Sequence, residues 1–505
     1  MNVGQIALLE EPKLEFRYGQ ITSDPHVGLG LFGPSDADEP AHPRAISYAV
    51  IGPEPGPTVL ARFFEDVRRP VVSCAYGDPS RIAKEQVLWP PFPGVEAVFA
   101  VDWPSGPGWI GTIDRKRVLA ALKDLDPYKR AYDVCNAYLE AIRIAVDRDE
   151  NYSVILCIVP EEVWLACRPQ SRVTEGLGRR PTKQEQEVRR LQQSLFGEYE
   201  PAQYELSVDF RRQLKARAME FSVPIQLVRE STLGLEISGS KTRGLTPASD
   251  RAWNLLTTLY YKSGGKPWKL ASAREGVCYV GLAFRRSEIS KDGRTACCAA
   301  QMFLDTGDGV VFRGEFGPWY SPLSEEYHLS SDAARELLGG VLQVYREQGG
   351  KALKEVFLHS RSTISREEYE GYCAACPEGT KVVAVRVRRD RETRLYRNGK
   401  WPVIRGTVWR TGEEAIHLWS SGFKATLMTY DGWETPWPLR VEVEHGDADI
   451  EQVAMDIFGL TKLNYNACKL GDSWPVTVKF SDAVGEILIT NPNLKFRRPN
   501  FKFYI

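Results

Sequence analysis

The chain has no run approaching the ~20 apolar residues that a membrane-crossing helix needs. Its amino terminus, MNVGQIALLEEPKLEF, shows no basic stretch followed by an apolar core, so no secretory leader is expected. Charge of one sign is not in excess either: 65 Lys and Arg stand against 66 Asp and Glu, so any surface for nucleic acid must be local. The six histidines (26, 42, 328, 359, 417 and 445) do not cluster at metal-ligand spacing. The ten cysteines are scattered: Cys297 and Cys298 are adjacent, and Cys373-Ala-Ala-Cys376 is the one CxxC. Without a second CxxC or a histidine pair, a zinc site is not expected, and reduced thiols in a cytoplasmic protein are. There is no GxxxxGK[ST] and no GxSxG, which leaves a metabolic α/β enzyme with little support. With 505 residues, 43% hydrophobic and 26% charged, the chain has the make-up of an ordinary globular protein of two or three domains.

What is present is organised around Asp250–Leu270, DRAWNLLTTLYYKSGGKPWKL. Trp253, Leu256, Leu259 and Tyr260 recur at helical spacing. Gly264 and Gly265 end the helix and Pro267 prevents its continuation, which sets Lys262 on the last turn. Arg251 lies about three turns earlier on the same face. By itself this is a buried helix with a basic end.

Before it, residues 1–56 look like strand and turn material (LEFRYGQ, GLGLFGP, AISYAVIG), closed by GPEPGP. A short helix is expected over Thr58–Val67, a buried strand over Val95–Val101 and a long helix over Arg115–Asp147. Ser153–Val159, SVILCIV, is a continuous apolar run of the kind found in strands covered on both faces. A polar section follows at Arg172–Arg190. Asp209–Glu220 is a helix with Arg211 and Lys215 at i and i+4, and Val223–Val228 a strand. Strand, helix, strand, helix indicates a doubly wound α/β domain.

After Trp268 the pattern restarts. Cys278–Phe284 is a strand, with Thr295–Leu304 and Gly309–Phe316 as antiparallel neighbours joined by a turn at Asp305–Asp308. Asp332–Gln348 is an amphipathic helix and Glu355–His359 a buried strand. From Lys381 to Arg410 there are ten basic residues and two acidic ones. Such a run is either a solvated hairpin or a phosphate-backbone surface. WPVTVKF is expected as a strand before a helix at Ser481–Leu488, and the apolar end FKFYI as a buried terminus.

The order VPIQLV, WNLLTTLYYKSGGKPWKL, CYVGLAF, EVFLH, LTKLNYN, WPVTVKFSDAVGEIL and an apolar terminus resembles the MID–PIWI half of Argonaute proteins. The length leaves no room for separate N and PAZ domains, so the chain is similar to the short prokaryotic Argonautes, and YGQITSDPHVGLGLFGP resembles their amino-terminal strands. The resemblance implies an α/β architecture: amino-terminal strands on PIWI (1–56), a Rossmann-like MID domain (57–270) and an RNase H-like PIWI domain (271–505). It also implies a pocket for the 5′-phosphate of a guide strand. The family's positions fall on Arg211, where Tyr is commoner, and on Lys215, Gln226 and Lys262. The carboxylate of Ile505 is expected to bind the phosphate together with Mg²⁺.

PIWI cuts with two metal ions held by carboxylates. Here the first of these positions falls on Ala283 and the second near Ser360 or Arg361, while Asp482 stands at the last. The family's glutamate has no clear counterpart, Glu315 being merely near. One carboxylate cannot clamp two metal ions, so no strand cleavage is expected. By the same resemblance the chain loads a guide RNA and pairs it with invading single-stranded DNA. It then activates an APAZ-containing partner with a TIR or sirtuin-like effector that depletes NAD⁺. The alternative is an active guide-directed nuclease.

Overall fold

The computed structural model describes residues 1–72, 87–169, 206–234, 246–286, 296–303, 309–347, 352–490 and 498–505. The expectations for 172–190 and for the turn 305–308 lie outside these residues.

In chain order, the first part contains β1 (Ile6–Leu8), β2 (Leu14–Glu15), β3 (Ile21–Thr22), α1 (Pro25–Leu31), β4 (Tyr48–Gly52), α2 (Gly56–Val67), α3 (Val95–Phe99), β5 (Trp109–Thr112), α4 (Arg115–Ala121), α5 (Pro127–Val146) and β6 (Val154–Val159). Then come α6 (Glu161–Ala166), α7 (Phe210–Arg217), β7 (Ile225–Arg229), α8 (Glu230–Leu233) and α9 (Ala248–Lys262). The strands pair in parallel as β5-β4-β6-β7. The apolar run of β6 is unbroken because both of its faces are covered. Leu156 and Ile158 join one core with Val50 and Trp253. Ile155 and Cys157 join another with Ile51 and Tyr138 of α5.

The second part contains β8 (Lys269–Leu270), β9 (Val277–Arg286), β10 (Ala296–Phe303), β11 (Gly309–Gly317), β12 (Tyr320–Ser321), β13 (Glu326–Tyr327), α10 (Ser331–Glu347), β14 (Glu355–Ser360), α11 (Arg366–Ala375), β15 (Lys381–Arg389), β16 (Thr407–Arg410), β17 (Ala415–Trp419), β18 (Leu439–His445), α12 (Ile450–Leu460) and α13 (Val476–Thr490). A nine-stranded sheet runs β1-β16-β17-β18-β15-β14-β9-β10-β11, with β9, β14 and β15 parallel at its centre. The core that holds Leu156 and Trp253 continues through Val383 of β15 and Val441 of β18, so one apolar cluster spans both sheets. Trp268, fully buried, joins them: its Nε1 donates to Lys462 O at 3.1 Å, and Tyr465 Oη donates to Trp268 O at 2.9 Å.

Several expectations are corrected. Residues 95–99 form a helix, not a strand: Val95, Val98 and Phe99 recur at i, i+3 and i+4, and all are buried. WPVTVKF is no strand but the start of α13, since Val476, Phe480, Val484 and Leu488 continue at four-residue spacing behind Pro475. The long helix of 115–147 breaks at Asp126-Pro127, where the Asp126 side chain caps α5 by accepting from Tyr128 N. GLGLFGP completes a helix that Asp24 caps and Pro25 begins. The segment 1–56 divides: β1 pairs with β16 and β2 with β8, but β4 lies inside the four-stranded sheet, so residue 56 does not separate the two. The basic run 381–410 is not a hairpin, because β17 and β18 separate β15 from β16.

Candidate nucleic-acid interface

α9 ends in the backbone pattern its glycines suggest. Gly265 N donates to Tyr260 O and Gly264 N to Tyr261 O, each at 3.0 Å, and Gly264 sits at φ 99°, where a Cβ would be strained. This cap fixes the last turn and turns Lys262 inward, with no exposed surface. Its Nζ donates to Ile225 O at 2.7 Å and to Ile505 O at 2.5 Å. On α7, capped by the Asp209 side chain, Lys215 points the same way and donates to Tyr504 O at 3.1 Å. Two lysines from separate helices thus hold the last two residues of the chain. Neither makes an ion pair with a side-chain carboxylate among the described residues.

Such burial disfavours the charged form. Burial, and then the Arg211 charge, push the Lys262 ammonium down to about 7. Lys215 is pushed well down by burial first and then by Lys262 and Arg211. Three cations therefore lie close enough to repel one another.

Arg211, exposed one turn before Lys215, and Gln226, on β7, line a cavity of about 440 Å³ together with Arg229, Arg251, Asn254 and Asn466. Gln226 Nε2 donates to Leu227 O at 3.1 Å, and its buried Oε1 has no partner. Arg251 lines the cavity too, but its Nη1 holds the backbone oxygens of Ser231, Thr232 and Gly234 at 3.3, 3.0 and 2.9 Å, which fixes the cavity wall. At the rim, Arg168 and Arg229 both lie over the Trp164 ring, 4.5 and 4.9 Å from its centroid. The Mg²⁺ expected at Ile505 would find there an oxygen already held by Lys262. Among the described residues no group of three His, Cys, Asp or Glu is placed to hold a metal ion. A metal ion at Ile505 would therefore need its remaining ligands from an incoming phosphate and water.

The second set of positions lies at one end of β9 and β14. Leu282 pairs with Ser360, so Ala283, still inside β9, lies level with Arg361, the residue just past the end of β14. α13 crosses them: a Cβ on Gly281 would meet Thr477 O at 2.2 Å, so only glycine lets helix and strand approach so closely. Asp482 on α13 forms an ion pair with Arg361 and lies 3.5 Å from Arg285 Nη2. Ser360 Oγ accepts from Ser362 N at 3.1 Å. Of the four positions, only Asp482 carries a carboxylate, and two guanidinium groups surround it. Glu315 lies on β11.

No family model matches the chain. Over 245 residues, 47% of its length, it is 22% identical to protein argonaute of Aquifex aeolicus, and it spans 31% of that protein. Clostridium butyricum Argonaute, solved with a guide DNA and a 19-mer target DNA, aligns with 99% of this chain and 55% of its own, at a TM-score of 0.61 and 13% identity. This chain has the fold of an Argonaute MID–PIWI pair. Drosophila Piwi aligns similarly, with a TM-score of 0.56 and 13% identity over 99% of this chain and 56% of its own. The chain thus spans about half the length of these Argonaute structures.

The chain's two main sheets are the four-stranded parallel one and the nine-stranded mixed one. The lysine cluster belongs to the first and Asp482 to the second. Arg211 and Gln226 meet in the cavity wall, while Lys215 and Lys262 meet at the oxygens of Tyr504 and Ile505, outside that lining. Sequence reasoning passed over Trp164, Arg229, Asn254 and Asn466. Asn466 belongs to LNYN, whose turn is closed by Asn466 N donating to Asn464 Oδ1 at 3.0 Å. Asn254 gave no signal beyond its place on the same helix as Lys262. No described helix is long and apolar enough to cross a membrane.

Proposed function

We propose that this chain is the guide-binding subunit of a prokaryotic defence complex, with Arg211, Lys215, Gln226 and Lys262 receiving the 5′-phosphate of a guide RNA. One observation carries this reading: two buried ammonium groups converge on the oxygens of Tyr504 and Ile505 with no side-chain carboxylate beside them. With the Ile505 carboxyl group as the one negative neighbour of two buried ammonium groups, positive charge is left in excess at a cost of several kcal/mol, which a terminal phosphate would offset. The phosphate's negative oxygens suit ammonium and guanidinium donors, and the Gln226 amide adds a neutral one. The 440 Å³ cavity beside it has the size for a nucleotide, with Asn254 and Asn466 at its wall. Mg²⁺ enters this reading as a companion of the incoming phosphate and not as a resident of the chain.

The guide then pairs with single-stranded target DNA, so base pairing reads the sequence while the protein holds backbone and shape. Cleavage is not part of the function. Ala283, Ser360 and Arg361 offer no carboxylate, and Asp482 is engaged by arginines. Recognition is instead passed to an APAZ-containing partner with a TIR or sirtuin-like, NAD⁺-consuming effector.

The decisive experiment measures binding of 5′-phosphorylated and 5′-hydroxyl guide RNA to the wild type and to Lys215→Met and Lys262→Met. The lysine variants should lose affinity for the phosphorylated guide alone; equal losses for both guides would overturn the pocket. Guide-matched target DNA should remain intact with Mg²⁺ or Mn²⁺. Cutting that Asp482→Ala abolishes would restore the nuclease reading. Co-purification with the neighbouring gene's product tests the partner.

A further inference from the structure

We propose that the arginines gathered around Asp482 form a metal-free seat for a backbone phosphate of nucleic acid, with Asp482 as the counter-ion that the phosphate displaces. The proposal rests on the nucleic-acid-binding reading above, and it assigns a ligand to a centre that reading leaves idle.

Strands β9, β14 and β15 run parallel with Leu282, Ser360 and Arg386 in register, so the residues that follow these positions lie toward one end of the central strands. Three arginines stand there: Arg285, Arg361 and Arg389. Facing them from α13 are Asp482 and Glu486. Arg285 reaches Glu486 at 3.1 Å, but Glu486 is also held by Arg212 of α7 at 2.6 Å. Asp482 is shared between Arg285 and Arg361. Arg389 makes no ion pair among the described residues, so positive charge is in excess.

The cations are held in a way that keeps them available. Arg361 and Arg389 both lie over the Trp474 ring, at 5.1 and 5.2 Å from its centroid. Two like charges on one ring repel, and the Arg361 charge, after burial and Arg391, lowers the Arg389 pKa. An anion between them would relieve this. The pattern continues into the loops that leave β15 and enter β18 at the same end. Arg394 lies over Trp437 at 3.1 Å, Arg397 over Phe423 at 5.2 Å and Lys400 over Trp401 at 5.1 Å. A ring positions a cation without neutralising it, whereas a carboxylate does both. The outcome is a band of oriented positive charge ending on the Arg285–Asp482–Arg361 cluster. Guanidinium forks match phosphate oxygens in pairs, and the exposed Arg361–Asp482 pair is the kind of contact that yields easily to a better anion.

The test uses the full-length chain loaded with 5′-phosphorylated guide, with loading measured first on every sample. Complementary DNA is then titrated in EDTA and in Mg²⁺. Arg361→Gln and Arg389→Gln should each weaken target binding roughly tenfold and lower the salt dependence by about one phosphate contact. Asp482→Asn should tighten binding several-fold, and EDTA should change nothing. A single neutral methylphosphonate is then walked along the target and, separately, along the guide. A dip confined to one or two positions, and missing in Arg361→Gln, locates the phosphate, and the strand that shows it identifies the source. Wild-type affinity in the arginine variants, looser binding in Asp482→Asn, or loss of binding in EDTA would each overturn the proposal while loading stays intact. If loading itself fails, the guide reading fails instead, and the same variants are scored on a preformed RNA–DNA duplex with the same expectations.

Discussion

The chain has two cationic centres of opposite construction. In the four-stranded-sheet half, two lysines are buried, their charge is depressed, and they hold the backbone oxygens of Tyr504 and Ile505. In the nine-stranded-sheet half, arginines lie near the surface, share carboxylates and rest on aromatic rings. A buried ammonium is a strong but conditional ligand, because its charge depends on pH and on the anion that joins it. A surface guanidinium is always charged but screened by salt and water. The first design suits the end of one strand, which carries a concentrated charge. The second suits a backbone, where single charges repeat and contacts are individually weak.

The sharpest way to break this contrast is to remove both ammonium groups. Lys215→Met with Lys262→Met should cost about 3 kcal/mol or more, roughly a hundredfold, in affinity for 5′-phosphorylated guide, measured by filter binding. A loss no larger than that of a surface arginine would erase the distinction. Next in size, Gly281→Ala would press a methyl group onto Thr477 O. It should lower stability by about 1–3 kcal/mol in urea unfolding, because the arginine centre stands on the approach of α13 to β9.

Acidity separates the two centres in sign. With Lys262 at about 7 in the free chain, an arriving phosphate raises its pKa. Above pH 7 binding therefore takes up a proton, and affinity falls by up to about tenfold per pH unit. Below pH 7 the ammonium is already charged, and the phosphate's own second ionisation near ~6 governs instead. Guide affinity should peak near neutrality. Target affinity at the guanidinium centre should stay flat from about pH 6 to 9, since guanidinium does not titrate there. Isothermal titration in two buffers of different ionisation enthalpy would count the protons. The smallest effect is expected from Arg251→Met, which frees three loop carbonyls but removes no proposed ligand. Guide affinity should fall only a few-fold, and a loss as large as that of Lys262→Met would promote Arg251 to a ligand.

Much of this was legible in the sequence where local chemistry decides the structure. The two glycines after Lys262 dictate the cap that turns it inward, and the unbroken apolarity of 154–159 announces a strand with two covered faces. The family resemblance then joined Lys215 to Lys262 across residues that no local pattern connects. The failures are equally physical. WPVTVKF alternates like a strand and also repeats every four residues, so it satisfies both periods, and only the groove that Gly281 leaves over β9 selects the helix. In VEAVFAV, buried apolar residues at i, i+3 and i+4 were hidden among enough others to pass for a strand. Trp474 gave no sign that two arginines would share its ring, because that depends on which strand ends are neighbours in the sheet.

One feature of the fold reaches beyond either centre. The apolar cluster that begins with Leu156 and Trp253 passes without interruption to Val383 and Val441. A shared interior of this kind ties the two halves together through packed side chains. The buried lysines and the exposed arginines therefore stand on one continuous core. A strand anchored by its end in one is gauged against the other, as cloth is measured from the zero of a rule.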